Sequence, residues 1–344
     1  YKDFSFFWGL RKTDREDFSN KKNTQLVKFE SYSYYKALTK AKYWIVNSNT
    51  RLFLKPGKKH VFVQTWHGTP LKKIGCDITC TGNAMTKYEN IQKIYDGEAE
   101  KITYMISPSQ YCTEKFISAF DLKKFGKEDA VLTVGYPRND YLFKFTDDEC
   151  KNIKLKLNIP MDKKVILYAP TYRSDLLGQE NINIRIESLK KLTDYVVLVR
   201  LHPLLNSKIN KKLFDDSNFI NVCEEEDIVN LYLITDILIS DYSASIYEFA
   251  LTGKKIVLYP YDYDEYKKYP GFCIDYKKTL PGPICYDENE LYDTILNIEK
   301  IYPKYNEKWN KFNKKYNYMN DGEATKRFVQ YLINGNLERS DKNE

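Results

Sequence analysis

Only three histidines occur among the 344 residues, so each side chain that could move a proton near neutral pH can be weighed singly. His67 follows the apolar run VFVQTW (61–66) and opens the loop HGTPLKK (67–73). A base at a strand end, with Gly68 and Thr69 in the turn beside it, is placed where it can meet a substrate. His202 follows VVLVRL (196–201) in the sequence RLHP, and Arg200 lies two positions before it. Alternation puts both side chains on one side of a strand terminus, and two cationic donors there suit a phosphate. His60, in KPGKKH just ahead of a strand, sits at the wrong end and is expected at the surface.

Three further clusters also follow apolar runs. In SDYSASIYEFALTGK (240–254), Asp241, Ser243, Ala244 and Ser245 bring hydroxyls and free amides to a helix start, which is an anion site in its own right. Glu248, about one turn into that helix, is placed for ribose hydroxyls. In APTYRSD (169–175), Pro170 and Thr171 set a tight turn and Arg173 could reach into a cleft. In GYPRND (135–140), a Gly-Pro turn is followed by Arg138, Asn139 and Asp140. Taken singly, each reads equally well as a helix cap or a polar turn. Five in order, each after a strand, make a pattern.

The elements that would position these residues are legible as short β-branched or aromatic runs. They are YWIVNS (43–48), VFVQTW (61–66), TYMIS (103–107), VLTVGY (131–136), VILYAP (165–170), VVLVRL (196–201), DILISD (236–241) and KIVLYP (255–260). Runs this apolar, separated by helix-length segments, predict buried parallel strands. Helices are expected at 31–42, at 107–120, at 243–254 ending on Gly253, and across 303–334. The polar stretch 146–163, with Pro160, suggests a boundary between a unit at 1–150 and a second at 151–344 that carries the terminal helices. The expected fold is α/β and GT-B-like: two Rossmann-like domains whose parallel sheets face a central cleft. Ligands of such sheets collect at the carboxyl ends of the strands, where all five clusters lie.

Composition narrows the classes. A chain of 344 residues with 42% hydrophobic and 29% charged residues is a globular protein large enough for two cores. Seven scattered cysteines without paired CxxC spacing argue against a disulfide framework or a structural zinc site. No stretch approaches the ~20 apolar residues of a membrane span. The start YKDFSFFWGLRK lacks signal-peptide organisation, and its first residue, Tyr, implies a preceding segment in the full-length protein. Residues 1–60 hold 14 Lys and Arg against 5 Asp and Glu, an excess of +9 in a chain of net charge +7. Such a lobe suits an anionic membrane surface or a phosphate-rich polymer.

WHGTPLKKIG, GYPRND, LYAPTYR, LHP and DILISDYSASIYEFALTGK, in this order and spacing, resemble the CDP-glycerol glycerophosphotransferase family over about residues 30–275. The resemblance implies a GT-B fold and transfer of an alditol phosphate from CDP-glycerol or CDP-ribitol to a teichoic acid or capsular polymer. It implies that His67 is the general base, that His202 contacts the pyrophosphate and helps CMP leave, that Asp241 to Ser245 cradle the phosphates, and that Glu248 lies near the ribose. Arg138, Asp140, Thr171 and Arg173 fall in family motifs and are expected to bind substrate. Three features depart from the pattern: Ala244 stands where the family has a second serine, with Ser245 displaced by one; Glu248 replaces the usual aspartate of that helix; and the first strand of the usual N-terminal domain is missing or cut. The resemblance further implies a lipid-linked acceptor at the inner face of the plasma membrane, a cytoplasmic peripheral enzyme, and no nucleic acid partner.

The reaction needs positioning and charge neutralisation more than covalent help. No acidic pair marks a two-metal site, so no cofactor is required; Arg200, His202 and helix amides would carry the phosphate charge, with a divalent cation at Asp241 as the alternative. Two rival functions are a sugar-nucleotide glycosyltransferase of the same fold and a non-catalytic module that grips anionic polymer.

Overall fold

The structure is a computed structural model that describes residues 4–11, 21–79, 88–171, 173, 185–201, 211–215, 218–225, 227–268 and 271–334. His202 and Cys80 lie outside the described residues.

All eight predicted runs are strands. β1 (Phe6–Leu10) and β2 (Thr24–Lys28), which the sequence reading did not mark, pair in parallel as a separate two-stranded sheet. β3 (Tyr43–Val46), β4 (Val61–Gln64), β5 (Tyr104–Ser107) and β6 (Val131–Thr133) form a parallel sheet in that order. β7 (Lys164–Tyr168), β8 (Tyr195–Val199), a short edge strand β9 (Phe219–Asn221), β10 (Ile237–Ser240) and β11 (Lys255–Leu258) form a second parallel sheet. Its order is β11-β10-β7-β8-β9. The chain runs outward from β7 to β9 and then returns to the other side of β7, so the strand order reverses between β7 and β10. In open α/β sheets, ligands collect at such a reversal, at the carboxyl ends of the two strands. β8 and β10 are buried along their whole length, as expected of strands covered on both faces by helices.

Hydroxyl side chains cap two of the early helices. Ser31 caps α1 (Tyr32–Lys40), and Ser109 caps α3 (Gln110–Ala119), which follows α2 (Tyr88–Ala99). The polar stretch expected to be a boundary contains α4 (Asp147–Lys156), begun by a Thr146–Glu149 capping box. The cluster after β10 forms α5 (Ser245–Phe249), a single short turn extended by a 3₁₀ segment that stops at Gly253 in the left-handed region (φ 73°).

The last helix, α6 (Ala324–Asn334), returns to the first sheet instead of staying with the second. Phe328 joins the core of Phe62, Met105 and Phe116, and the Tyr331 ring meets that of Tyr104 at 5.1 Å. Asp140, expected to bind substrate, instead accepts from the amides of Ala324 (3.0 Å) and Thr325 (2.8 Å) and so caps α6. α6 thus packs its Phe328 and Tyr331 against residues of the unit at 1–150.

Candidate functional site

His67 stands just beyond β4, and its environment fixes its chemistry. Its Nδ1 lies 2.8 Å from the carbonyl oxygen of Asn47. A carbonyl can only accept, so Nδ1 carries the proton and Nε2 presents its lone pair. The ring stacks on Trp66 at 4.2 Å, which fixes its plane. Burial lowers the His67 pKa below the ordinary histidine value; the Asn47 bond pulls the other way, the Arg138 charge lowers it further, and Glu248 raises it. The residue nonetheless remains exposed, and its Nε2 has no hydrogen-bond partner among the described residues. A neutral imidazole with its Nε2 lone pair unpaired has the chemistry to accept a proton.

The backbone below it is held by groups that the sequence reading missed. Trp66 adopts a left-handed conformation (φ 52°), unusual for a residue with a bulky side chain. Gln64, fully buried at the end of β4, accepts from the Trp66 amide (2.9 Å) and donates to Ser48 O (3.1 Å) and Glu98 (2.9 Å). Glu98, also fully buried, pairs with Lys101 (3.2 Å) and takes the amide and hydroxyl of Thr50. This network braces both Trp66 and the strap that carries Asn47. One polar residue inside the apolar run VFVQ was its only signal in the sequence.

The loop 67–73 bridges the two sheets. Lys72 pairs with Phe272 in an isolated antiparallel bridge, Lys73 N donates to Gly271 O (3.0 Å), and Cys273 N donates to Leu71 O (2.9 Å). Gly68 meets the second unit so closely that a Cβ there would lie 2.8 Å from the Ala244 Cβ. Both residues are small where the two loops touch, which gives the departure at Ala244 a steric setting. Arg138 closes the same gap, donating to Glu248 across it while its guanidinium lies 4.4 Å from the Tyr136 ring centre. Glu248, expected at the ribose, is thus committed at one oxygen to Arg138.

Across the cleft, the loops after β7 and β10 are tied at the strand-order reversal. Ser240 Oγ donates to Ala169 O (2.8 Å), and Asp241 Oδ1 accepts from the amides of Thr171 (2.8 Å) and Tyr242 (2.5 Å). Ser243 Oγ accepts from Ser245 N (3.2 Å), whereas the amides of Ser243 and Ala244 have no hydrogen-bond partner among the described residues. The donors left over to meet an anion are thus the two amides ahead of α5, since a five-residue helix has little dipole of its own.

A sequence model of the CDP-glycerol:poly(glycerophosphate) glycerophosphotransferase family matches residues 1–334. The chain belongs to this family. It is 38% identical over 343 residues to the teichoic acid glycerol-phosphate transferase of Staphylococcus aureus, covering 97% of this chain and 86% of that one. It is 32% identical to the teichoic acid poly(glycerol phosphate) polymerase of Staphylococcus epidermidis, covering 98% of this chain but 47% of that protein, so it spans about half the length of that relative. The wall teichoic acid polymerase TagF superposes with a TM-score of 0.87 and 31% identity, over 100% of this chain and 84% of that one. The fold of this family member is accordingly GT-B-like.

Several expected site residues are engaged elsewhere. Arg173 is buried, its guanidinium bonded to Asp262 (2.8 and 3.0 Å), 2.6 Å from Asp241, and flanked by the rings of Tyr242, Tyr261 and Tyr266. These bonds tie Arg173 to the Asp241 loop. Arg200 directs Nη1 to the carbonyls of Val222 and Glu225. Thr69 is buried against the Cys112 thiol and the Tyr136 hydroxyl. His60 accepts from Gly57 N and closes a turn. Lys72 was not singled out from the sequence, yet it lies beside Asp241 and Arg173; burial lowers its amine pKa to about 8, against the pull of Asp241. Among the described residues no group of three or more His, Cys, Asp or Glu is placed to hold a metal ion.

Proposed function

We infer that the protein transfers glycerol phosphate from CDP-glycerol to a terminal hydroxyl of a poly(alditol phosphate) acceptor and releases CMP. The observation that carries this reading is His67, held in one tautomer with Nε2 open, on a loop packed by Gly68 against the Ala244 turn of the strand-order reversal. In the transfer, Nε2 takes the proton of the acceptor hydroxyl as its oxygen attacks the alditol-bearing phosphorus, and the bond to the CMP oxygen breaks in line. The amides of Ser243 and Ala244 take up pyrophosphate charge, and His202, by its place in the LHP motif, adds a cationic donor. Family membership favours this chemistry over sugar transfer, and a base in this setting has no use in a purely binding module. CDP-ribitol is the second donor to test.

The acceptor is proposed to be lipid-linked and the protein peripheral at the inner face of the plasma membrane. Among the described residues no helix is long and apolar enough to cross a membrane. The lobe with 14 Lys and Arg against 5 Asp and Glu in residues 1–60 is the proposed attachment surface. Each cation near an anionic leaflet contributes about 1 kcal/mol within a Debye length of ~8 Å. The chain should co-sediment with anionic vesicles at low salt and be released at high salt. Indifference to such vesicles at low salt would exclude this attachment.

The catalytic reading is checked by incubating the chain with CDP-glycerol, CDP-ribitol and a UDP-sugar in the presence of a glycerol phosphate oligomer. CMP release that requires the oligomer supports it. UDP release, or no nucleotide release, would refute it.

A further inference from the structure

The strap that fixes His67 has a second face. Its inner side is pinned by Gln64, Glu98 and Lys101, whose amine donates to Thr50 Oγ1 (2.8 Å) and Arg51 O (3.1 Å). Its outer side, residues 47–51, forms one wall of a groove of about 950 Å³, closed by α1, β3 and the two-stranded sheet β1–β2. Asn47 belongs to both: it lines the groove, and its carbonyl accepts from His67 Nδ1 at 2.8 Å. The groove and His67 thus share one residue, Asn47.

Three chemistries alternate along the lining. Phe29 and Tyr34 present rings 5.1 Å apart, and Phe53, 67% exposed, continues the aromatic surface. Asn47 and Asn49 line it with amides, and two guanidinium groups, Arg11 and Arg51, line the groove against one carboxylate, Glu30. Glu30 is held by Arg51 (2.6 and 3.1 Å), so Arg11 is the lining cation with no bonded carboxylate among the described residues.

We propose that this groove binds the acceptor, an alditol phosphate chain. Such a chain repeats the three chemistries of the lining: methylene faces for the rings, hydroxyls for the amides, and phosphodiesters for the guanidinium groups. The excess of positive charge over residues 1–60 matches it in sign. An acyl chain fits worse, because it would leave Arg11 and the strap amides facing hydrocarbon. The inference rests on the transferase reading and specifies the acceptor side of that same site.

The test is steady-state transfer by the full chain from CDP-glycerol to a synthetic glycerol phosphate oligomer, with Phe53→Ala and Ile45→Trp compared with wild type. Both positions are exposed, and the second substitution fills the groove where the first empties it. The acceptor KM should rise about tenfold in each, the loss expected of one ring contact or one displaced charge-assisted bond, with the change confined to acceptor KM. Acceptor KM within twofold of wild type in both variants would overturn the groove assignment while leaving the transferase reading intact. A wild-type chain that releases no CMP would overturn both. A Phe53→Trp chain whose emission responds to anionic vesicles but not to the oligomer would make the groove a lipid site, against the proposal.

Discussion

Replacing His67 by Ala is expected to cut turnover by about 10²–10⁴-fold, the usual contribution of a positioned general base, with little change in CDP affinity. The expectation rests on two linked observations. Asn47 locks the proton on Nδ1, and the Gln64–Glu98–Lys101 network holds both Asn47 and the left-handed Trp66 that aims the ring. The pH profile of the wild-type protein gives a second readout. Burial sets the direction of the His67 shift, opposed by the Asn47 bond and aided by Arg138, so the imidazole stays neutral to lower pH than an ordinary histidine. Turnover should therefore persist as pH falls through the ordinary histidine range and decline only below it. The loss falls on the acid side because protonation removes the Nε2 lone pair. Near-normal turnover in the Ala variant would take His67 out of the mechanism.

Asp241→Ala is expected to be the most destabilising change in the site. Asp241 is 1% exposed, holds the Thr171 and Tyr242 amides, and lies 2.6 Å from Arg173. Removing it strands two amides and leaves the buried guanidinium with Asp262 as its one carboxylate, beside the Thr171 carbonyl. Breaking a buried pair from one side costs about 3–5 kcal/mol, and the retained Asp262 places this case toward the lower figure. Asp241→Asn keeps the acceptor oxygen for both amides and should lose less, which separates the charge from the loop geometry. Chemical denaturation reads both effects, and CDP affinity should fall with the first variant as the loops after β7 and β10 come apart. A denaturation midpoint equal to wild type in Asp241→Ala would show that the Arg173 cluster does not hold this loop.

The sheets were readable because their strands are nearly uninterrupted apolar runs: VILY and VVLV announce burial on both faces without further context. β1 was missed because its residues are largely exposed, and β9 because three residues carry too little pattern. The place of His67 was readable as well: it stands just beyond β4, where the end of an apolar run put it. The roles of Asp140, Arg173 and Thr69 were not. A polar residue after a strand looks the same in sequence whether it faces a cleft or caps a helix 184 residues away, as Asp140 does. That choice is made by tertiary packing, here by the return of α6 to the first sheet. The clasp of Arg138 on Glu248 and the contact of Gly68 with Ala244 were hidden for the same reason. Each joins residues more than a hundred positions apart, and each was read singly as a ligand to substrate.

The placement of the reaction between the end of β4 and the reversal between β7 and β10 is tested most directly by a structure with CDP-glycerol bound. The expected result is a pyrophosphate against the amides of Ser243 and Ala244, with the alditol phosphorus on the His67 side, leaving room for one hydroxyl between phosphorus and Nε2. A pyrophosphate seated away from residues 241–245, or an alditol turned from His67, would contradict it.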